Sequence, residues 1–412
     1  MKLFNVSVFA LLASYVSADC QLSSDGNYYC GKTDKVIYEN VGFSGSYNQV
    51  TSMNEDTGAC SSQPFSFNGN LAPLNEELSV HFRGPLKLAK FAVYYPASTQ
   101  NYKRDDPDCQ PRHAHHKHKR ATNVVEVTKT IFVGGQQTTL TTVTPALSAQ
   151  STQSGSSNPS SGSASQSSGA PQASNGDWVR TAYYAPGTAD GLVFLNNHGG
   201  SGSGVWSKTF GNSLSYCNSD ASGGASSPQV LDEVLVPSNN EYLIMSNNKC
   251  DGDSCGFYRE GIPAYHGFGG DQKIFVFEFT MPSDGSKGFN MDMPAIWLLN
   301  AQIPRTLQYG SASCSCWSTG CGEMDLFEIL SSGSEKLISH LHDGQGSLNG
   351  GYGGGGSQDW FQRPLSDTMT AAVVMTGKEV HILEVSDSFD KVLSSATVQK
   401  WIDQKGSVAQ LV

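Results

Sequence analysis

Three carboxylates fall within six residues of the stretch CSCWSTGCGEMDLFEIL, residues 314 to 330: Glu323, Asp325 and Glu328. Met324, Leu326, Phe327, Ile329 and Leu330 surround them, the composition of a buried strand. In a strand, successive side chains face opposite ways, so Glu323 and Asp325 share one face and Met324 takes the other. Glu328 then falls on the apolar side. A one-residue β-bulge near Leu326–Phe327 would return it to the face of the other two acids, with Met324 and one or two of Leu326, Phe327 and Ile329 anchored in the core. Crowded anions raise one another's proton affinity, a costly arrangement that suits a site whose protonation states are tuned for work. Glycosidic bond cleavage needs such a division of labour: one carboxylate attacks the anomeric carbon and one acid protonates the leaving oxygen. If the two glutamates meet at about 5–5.5 Å, a retaining double displacement follows. The intervening aspartate can hydrogen-bond the attacking group and shift its proton affinity between steps.

Such a strand needs sheets to hold it. From about Asp177 to the end, short strand-like runs recur between turn signals: LVFLNN, EYLIMSN, KIFVFEFTM, AIWLL, MDLFEIL, AAVVMTG and VHILEV. Helical periodicity is scarce, and only the last twenty residues offer a helix candidate. The pattern predicts an all-β chain with a jelly-roll β-sandwich over 177–412. Residues 19–110, with LSVHFRGPLKLAKFAVYYPA, predict a smaller, separate N-terminal β domain containing disulfides. Its aromatics, Tyr28, Tyr29, Phe43, Tyr47, Phe65 and Phe67, suit either sugar stacking or a core.

Residues 111–176 join the two. RHAHHKHKR, residues 112–120, reads as a solvated basic run or a weak metal binder, and Lys119–Arg120 as a processing site. The Thr/Val-rich and Ser-rich stretch that follows has too little apolar surface to fold and reads as an O-glycosylated spacer. Residues 1–18 have a basic Lys2, a short apolar run and a small-residue site at Ala18, which predicts a cleaved secretory signal. No later run reaches membrane-spanning length, and the C-terminus lacks a lipid-anchor tail. The expected product is secreted, wall-associated and monomeric, without a membrane anchor.

Secretion makes disulfides the expected state of the ten cysteines, four before the spacer (Cys20, Cys30, Cys60, Cys109) and six after it (Cys217, Cys250, Cys255, Cys314, Cys316, Cys321), so each half can pair internally. The spacing of Cys314, Cys316 and Cys321 does not suit zinc, and no metal or cofactor is expected. A net charge of -11 argues against nucleic acid and leaves a neutral polymer as an easy partner.

The sequence GEMDLFEIL resembles the G-E-[IM]-D-[ILF]-x-E signature of family 16 glycoside hydrolases in its bulged form. KIFVFEFTMPSDGSKGFNMDMPAIWLLN, residues 273–300, is similar to that family's strand, loop and Pro-Ala-x-Trp-Leu-Leu segment. The whole chain resembles the fungal Tos1-like secreted cell-wall proteins, which join an N-terminal β domain to a glycosidase-like one. The resemblance implies Glu323 as nucleophile, Asp325 as its assistant and Glu328 as acid/base. It further implies Trp297 beside the scissile sugar, with a core tryptophan as the alternative, and either His340 or His342 facing the acids. Trp317 and Trp360 are candidates for sugar stacking. GQGSLNGGYGGGGSQDWF reads as a mobile loop beside the site or as plain linkage. The insertion AQIPRTLQYGSASCSCWSTGC, residues 301–321, departs from the family pattern and places a cysteine-stiffened loop against the acid strand.

The substrate so implied is a cell-wall β-glucan, foremost β-1,3-glucan. Hydrolase and transglycosylase share one covalent intermediate and differ in the acceptor, water or a sugar hydroxyl. A structural or sugar-binding wall protein with inactive acids is the alternative from another class. A calcium-stabilised lectin using Asp251 and Asp253 is a third, without an EF-hand loop to support it.

Overall fold

The structure, a computed structural model, describes residues 20–23, 26–97, 128–133, 136–141, 173–346, 353–386 and 389–411. The expected signal, the basic run with Lys119–Arg120, Cys109 and the Ser-rich tract lie outside them, as do residues 347–352 of the glycine-rich loop. Two compact units result, one formed by residues 1–102 with 171–412 and one by 103–170.

In the first unit the longer strands are β1 (Lys35–Glu39), β2 (Gly45–Met53), β3 (Cys60–Phe67), β4 (Leu78–Arg83), β5 (Lys87–Pro96), β6 (Trp178–Ala185), β7 (Leu192–Asn196), β8 (Glu241–Ser246), β9 (Lys273–Thr280), β10 (Ala295–Asn300), β11 (Glu323–Glu328), β12 (Lys336–His342), β13 (Met369–Thr376) and β14 (Glu379–Glu384). Two sheets contain most of them. One runs β6-β5-β9-β13-β14-β1, the other β7-β8-β4-β10-β11-β12, with shorter strands at their margins. β2 and β3 form a separate hairpin. The all-β expectation holds.

The separate N-terminal domain does not. β5 lies between β6 and β9, β4 between β8 and β10, and β1 pairs with β14, so both sheets are built from residues on either side of the spacer. The reason is pairing: a run such as LSVHFR states its own alternation but not its neighbours, and here the neighbours are more than 150 residues away. A disulfide, Cys60–Cys314, also joins the two halves, overturning pairing within each half alone. Cys20–Cys30, Cys250–Cys255 and Cys316–Cys321 are local. Among the described residues Cys217 is the free cysteine, buried, with its thiol pushed up to about 12 by that burial.

The sheets face each other across one large apolar core. Phe82 of β4 meets Phe91 of β5 edge-on at 6.5 Å, and Phe279 of β9 meets Phe327 of β11 at 5.4 Å. β9 reads as a continuous apolar run because both its faces are covered. Phe275, Phe277 and Phe279 enter the main core, while Ile274 and Val276 pack under α1 (Ser395–Asp403) through Val398 and Trp401. α1 is the helix expected near the C-terminus. Its start is capped by the Ser394 hydroxyl, which accepts from the Thr397 N–H. At its other end Lys35, from the N-terminal segment, donates to the carbonyls of Trp401, Ile402 and Gln404.

The second unit contains an antiparallel hairpin, Thr128–Val133 with Gln136–Thr141, where the spacer reading expected no structure. Thr, Ile and Val at alternating positions favour an extended pair locally. Among the described residues no helix is long and apolar enough to cross a membrane.

Candidate active site

β11 carries the three acids and is bulged where its alternation requires. Against β10, Glu323, Met324 and Asp325 pair with Leu299, Leu298 and Trp297, and pairing then resumes at Phe327–Ile296 and Glu328–Ala295, so Leu326 is the extra residue. Against β12 the register likewise shifts between Asp325–His340 and Glu328–Ile338. Leu326 and Phe327 both turn into the main core with Met324 and Ile329, all fully buried. Glu328 is thereby returned to the face of Glu323 and Asp325.

Neighbouring strands furnish that face in three rows. Ser79, Leu299, Glu323 and His342 form one; His81, Trp297, Asp325 and His340 the next; Arg83, Ala295, Glu328 and Ile338 the third. His342 Nε2 lies 3.3 Å from Asp325 Oδ2, and the His340 ring stacks on His342 at 4.4 Å. Arg83 Nη2 lies 3.2 Å from Glu328 Oε1 while its Nε–H donates to the Met293 carbonyl. The guanidinium also lies 5.8 Å from the Trp297 ring centre, and His81 stacks on that ring at 5.1 Å. Trp317 donates its indole N–H to Glu323 Oε2.

Burial, then the charge of Asp325, pushes Glu323 up to about 8; the Trp317 N–H and His342 oppose the rise. Burial and the Glu328 charge hold Asp325 well above the usual carboxylate range, with Arg83 pulling the other way. Burial and mutual repulsion thus favour a proton on the Glu323–Asp325 pair. Burial keeps two nearby imidazoles neutral: it lowers His340 to about 4 and His81 to about 3. The Glu328 and His342 side chains remain 21% and 31% exposed, so the face is open to a ligand at its edge. A proton, a carboxylate and solvent access on one face are the requirements of general acid–nucleophile chemistry.

Residues 176–401 match the family described as "Cell wall protein YJL171C/Tos1, C-terminal", and residues 34–96 match its N-terminal counterpart. The chain belongs to the YJL171C/Tos1 cell wall protein family. A Candida albicans relative named "Probable circularly permuted 1,3-beta-glucanase TOS1" is 52% identical over 466 residues, covering 100% of both chains. The Saccharomyces cerevisiae protein of the same name is 49% identical, with 98% of each chain covered. An Arthroderma benhamiae relative, "Probable circularly permuted 1,3-beta-glucanase", is 36% identical over 97% of this chain and 96% of its own. No solved structure matches the chain.

In this YJL171C/Tos1 chain the 301–321 insertion and the β2–β3 hairpin flank the acids. The 301–321 insertion lies against the β2–β3 hairpin. Cys60–Cys314 joins them, the Asn48 N–H donates to Thr319 Oγ1, and the Gln49 amide donates to Gln302. Tyr47 and Phe67 of the hairpin pack with Trp297, Leu299 and Cys316 in one apolar cluster on the acid-bearing face. Trp297 lies in the row of Asp325 and is only 5% exposed, as the core alternative expects. Tyr29, Tyr47 and Phe67 are core residues; Tyr28 and Phe65 are exposed.

Trp297, Trp317, His340 and His342 are thus assembled around the trio, with His342 the histidine in contact with Asp325. Trp360 is not: its ring lies under Lys336 Nζ at 5.4 Å beside Tyr29. Asp251 and Asp253 are exposed beside the Cys250–Cys255 disulfide. Among the described residues the one metal-sized ligand group is Cys250, Cys255 and His266, whose sulfurs are bonded to each other. Arg83, His81 and Ser79 escaped the sequence reading, although LSVHFR placed three polar residues on one face of an otherwise apolar strand.

Proposed function

We propose that this protein is a secreted wall β-glucanase that cleaves internal β-1,3-glucosidic bonds with retention of configuration, Glu323 serving as nucleophile, Asp325 as its assistant and Glu328 as acid/base. One observation carries the reading: the bulge at Leu326 sets the three acids on one partly exposed face, where burial and crowding raise the proton affinity of Glu323 and Asp325. The printed names of the relatives point to the same linkage, and the four disulfides among the described residues suit an oxidising compartment. "Circularly permuted" in those names agrees with a chain whose N-terminal strands fill interior positions between C-terminal ones.

In the first half-reaction Glu323 attacks the anomeric carbon as Glu328 gives its proton to the leaving oxygen. In the second, Glu328 takes a proton from the acceptor, which displaces Glu323. Water as acceptor gives hydrolysis and a sugar hydroxyl gives chain transfer. The test incubates the full chain with reduced, size-defined β-1,3-, β-1,4- and β-1,6-glucans and chitin oligomers and separates products by mass. Shorter products from the β-1,3 series alone, lost in Glu323→Gln and Glu328→Gln, are the expected result; products longer than the substrate reveal transfer. Binding without any change of chain length would replace the enzyme reading with that of a sugar-binding wall protein.

A further inference from the structure

The geometry points to Trp317 as a positioning residue: its indole N–H, fixed by the disulfides of the 301–321 insertion, orients the Glu323 carboxylate and favours its ionised, attacking form against the burial that opposes it. The inference rests on the reading of Glu323 as the nucleophile. An indole N–H donates and never accepts, and it keeps its proton throughout the working pH range. A hydrogen bond from such a donor to a carboxylate is charge-assisted, and it favours the anion over the neutral acid.

Glu323 needs that help. Asp325 and Glu328 on its own strand are anions or potential anions facing it, and burial works in the same direction. From β12, His342 faces it, with His340 stacked behind and held neutral by burial. From β4, Arg83 is committed to Glu328 and the Met293 carbonyl, and the neutral His81 to Trp297 and Ser79. Among the described groups, Trp317 is the uncharged donor hydrogen-bonded to Glu323 itself.

The backbone around Trp317 is built to hold still. Residues 317–319 form a single 3-10 turn ended by Gly320 in the left-handed region at φ 91°, and Cys316–Cys321 closes a ring around it. Two residues before that ring, Cys314 is bonded to Cys60 of the hairpin. Thr319 accepts from the Asn48 N–H, and the Trp317 ring packs against the cluster of Tyr47, Phe67 and Trp297. A sugar platform would need only the ring face; this arrangement fixes the direction of the N–H as well.

Trp317→Phe in the full chain separates the two roles, because it retains an aromatic face and deletes the donor. Loss of the donor raises the proton affinity of Glu323, so the acid limb of kcat/KM moves to higher pH, by about one unit for a tenfold fall in the ionised fraction. KM for β-1,3-glucan oligosaccharides stays within about twofold and kcat on the acid side falls about tenfold, as for an interaction that acts on the chemical step. Replacing both Cys316 and Cys321 by Ser shifts the limb in the same direction. An unmoved pH profile with a raised KM would overturn the inference and make Trp317 a sugar platform. A second readout needs no turnover: the indole N–H resonance of Trp317 titrates with pH in the parent chain and loses that titration in Glu323→Gln. If no glucan is cleaved yet the titration behaves so, the contact stands and the hydrolase reading falls. If glucan is cleaved while the indole resonance ignores Glu323→Gln, the inference alone falls.

Discussion

Arg83 reaches from β4 past β10 to Glu328 on β11, placing Nη2 3.2 Å from Oε1. The two residues come from segments 245 positions apart in sequence. One proposed catalytic residue thus takes its counter-ion from the other side of the spacer. Arg83→Met keeps the stem and deletes the charge, leaving Glu328 facing Asp325 without a cation. We expect a loss of about 1–3 kcal/mol in denaturant unfolding, the cost of an uncompensated, mostly buried charge. A fall of about tenfold or more in turnover should accompany it, measured on the same oligosaccharides.

The raised proton affinities of Glu323 and Asp325 oppose stability at neutral pH. For groups raised in the folded state, the stabilising contribution is complete below the unfolded value of about 4.5 and is lost as pH rises toward about 8. Glu323→Gln should therefore melt a few degrees higher than the parent at pH 8 and within a degree of it at pH 4.5, at roughly 2–4 °C per kcal/mol. Calorimetry across that range is the check. A stabilised but inactive variant is the signature of a site kept at a cost to the fold.

His81 carries the opposite sign. Burial lowers it to about 3, so its contribution is present above the unfolded value of about 6.5 and drains away as pH falls toward 3. His81→Phe, which can keep the ring against Trp297, should unfold at a lower pH than the parent in an acid titration followed by tryptophan fluorescence. An unchanged acid midpoint would show that another group governs acid unfolding.

The division of roles between the two glutamates is open to a chemical test. With an activated aryl β-glucoside of suitable length and added azide, Glu323→Ala should yield the α-glycosyl azide, because azide then performs the only displacement. Glu328→Ala should yield the β-glycosyl azide, because the covalent intermediate still forms first. Interchanged products would exchange the roles.

Because β1, β4 and β5 are interior or pairing members of the two sheets, a 177–412 fragment should fail to fold alone and should recover when produced together with residues 20–102. Circular dichroism and a non-reducing gel read the outcome, the gel showing the Cys60–Cys314 link. Cys60→Ala with Cys314→Ala in the unbroken chain should cost about 5 kcal/mol in the chain-entropy account, given the 254-residue separation.

Much of this site could be read locally and little of the architecture could. Glu323, Asp325 and Glu328, with apolar residues between them, demanded a bulge, because alternation is a property of the strand itself. The helix at Ser395–Asp403 was likewise local, with its Ser394 cap. What escaped was partnership. Nothing in KLAKFAVYYP says that it lies between Trp178–Ala185 and Lys273–Thr280, since ladder pairing is backbone chemistry shared by every strand. Arg83 and His81 were missed for the same reason: their importance comes from being two strands from the acids. Trp360 was misplaced because aromatic character alone does not state a direction.

Pro96 of β5 lies opposite Trp178 of β6, so the stretch of chain between them joins two adjoining antiparallel strands. The excursion is therefore topologically a hairpin connection, and its entropy of closure grows only with the logarithm of its length, about 0.6 kcal/mol per doubling. Evolution can lengthen, shorten or decorate that insert almost independently of the two sheets it interrupts in sequence.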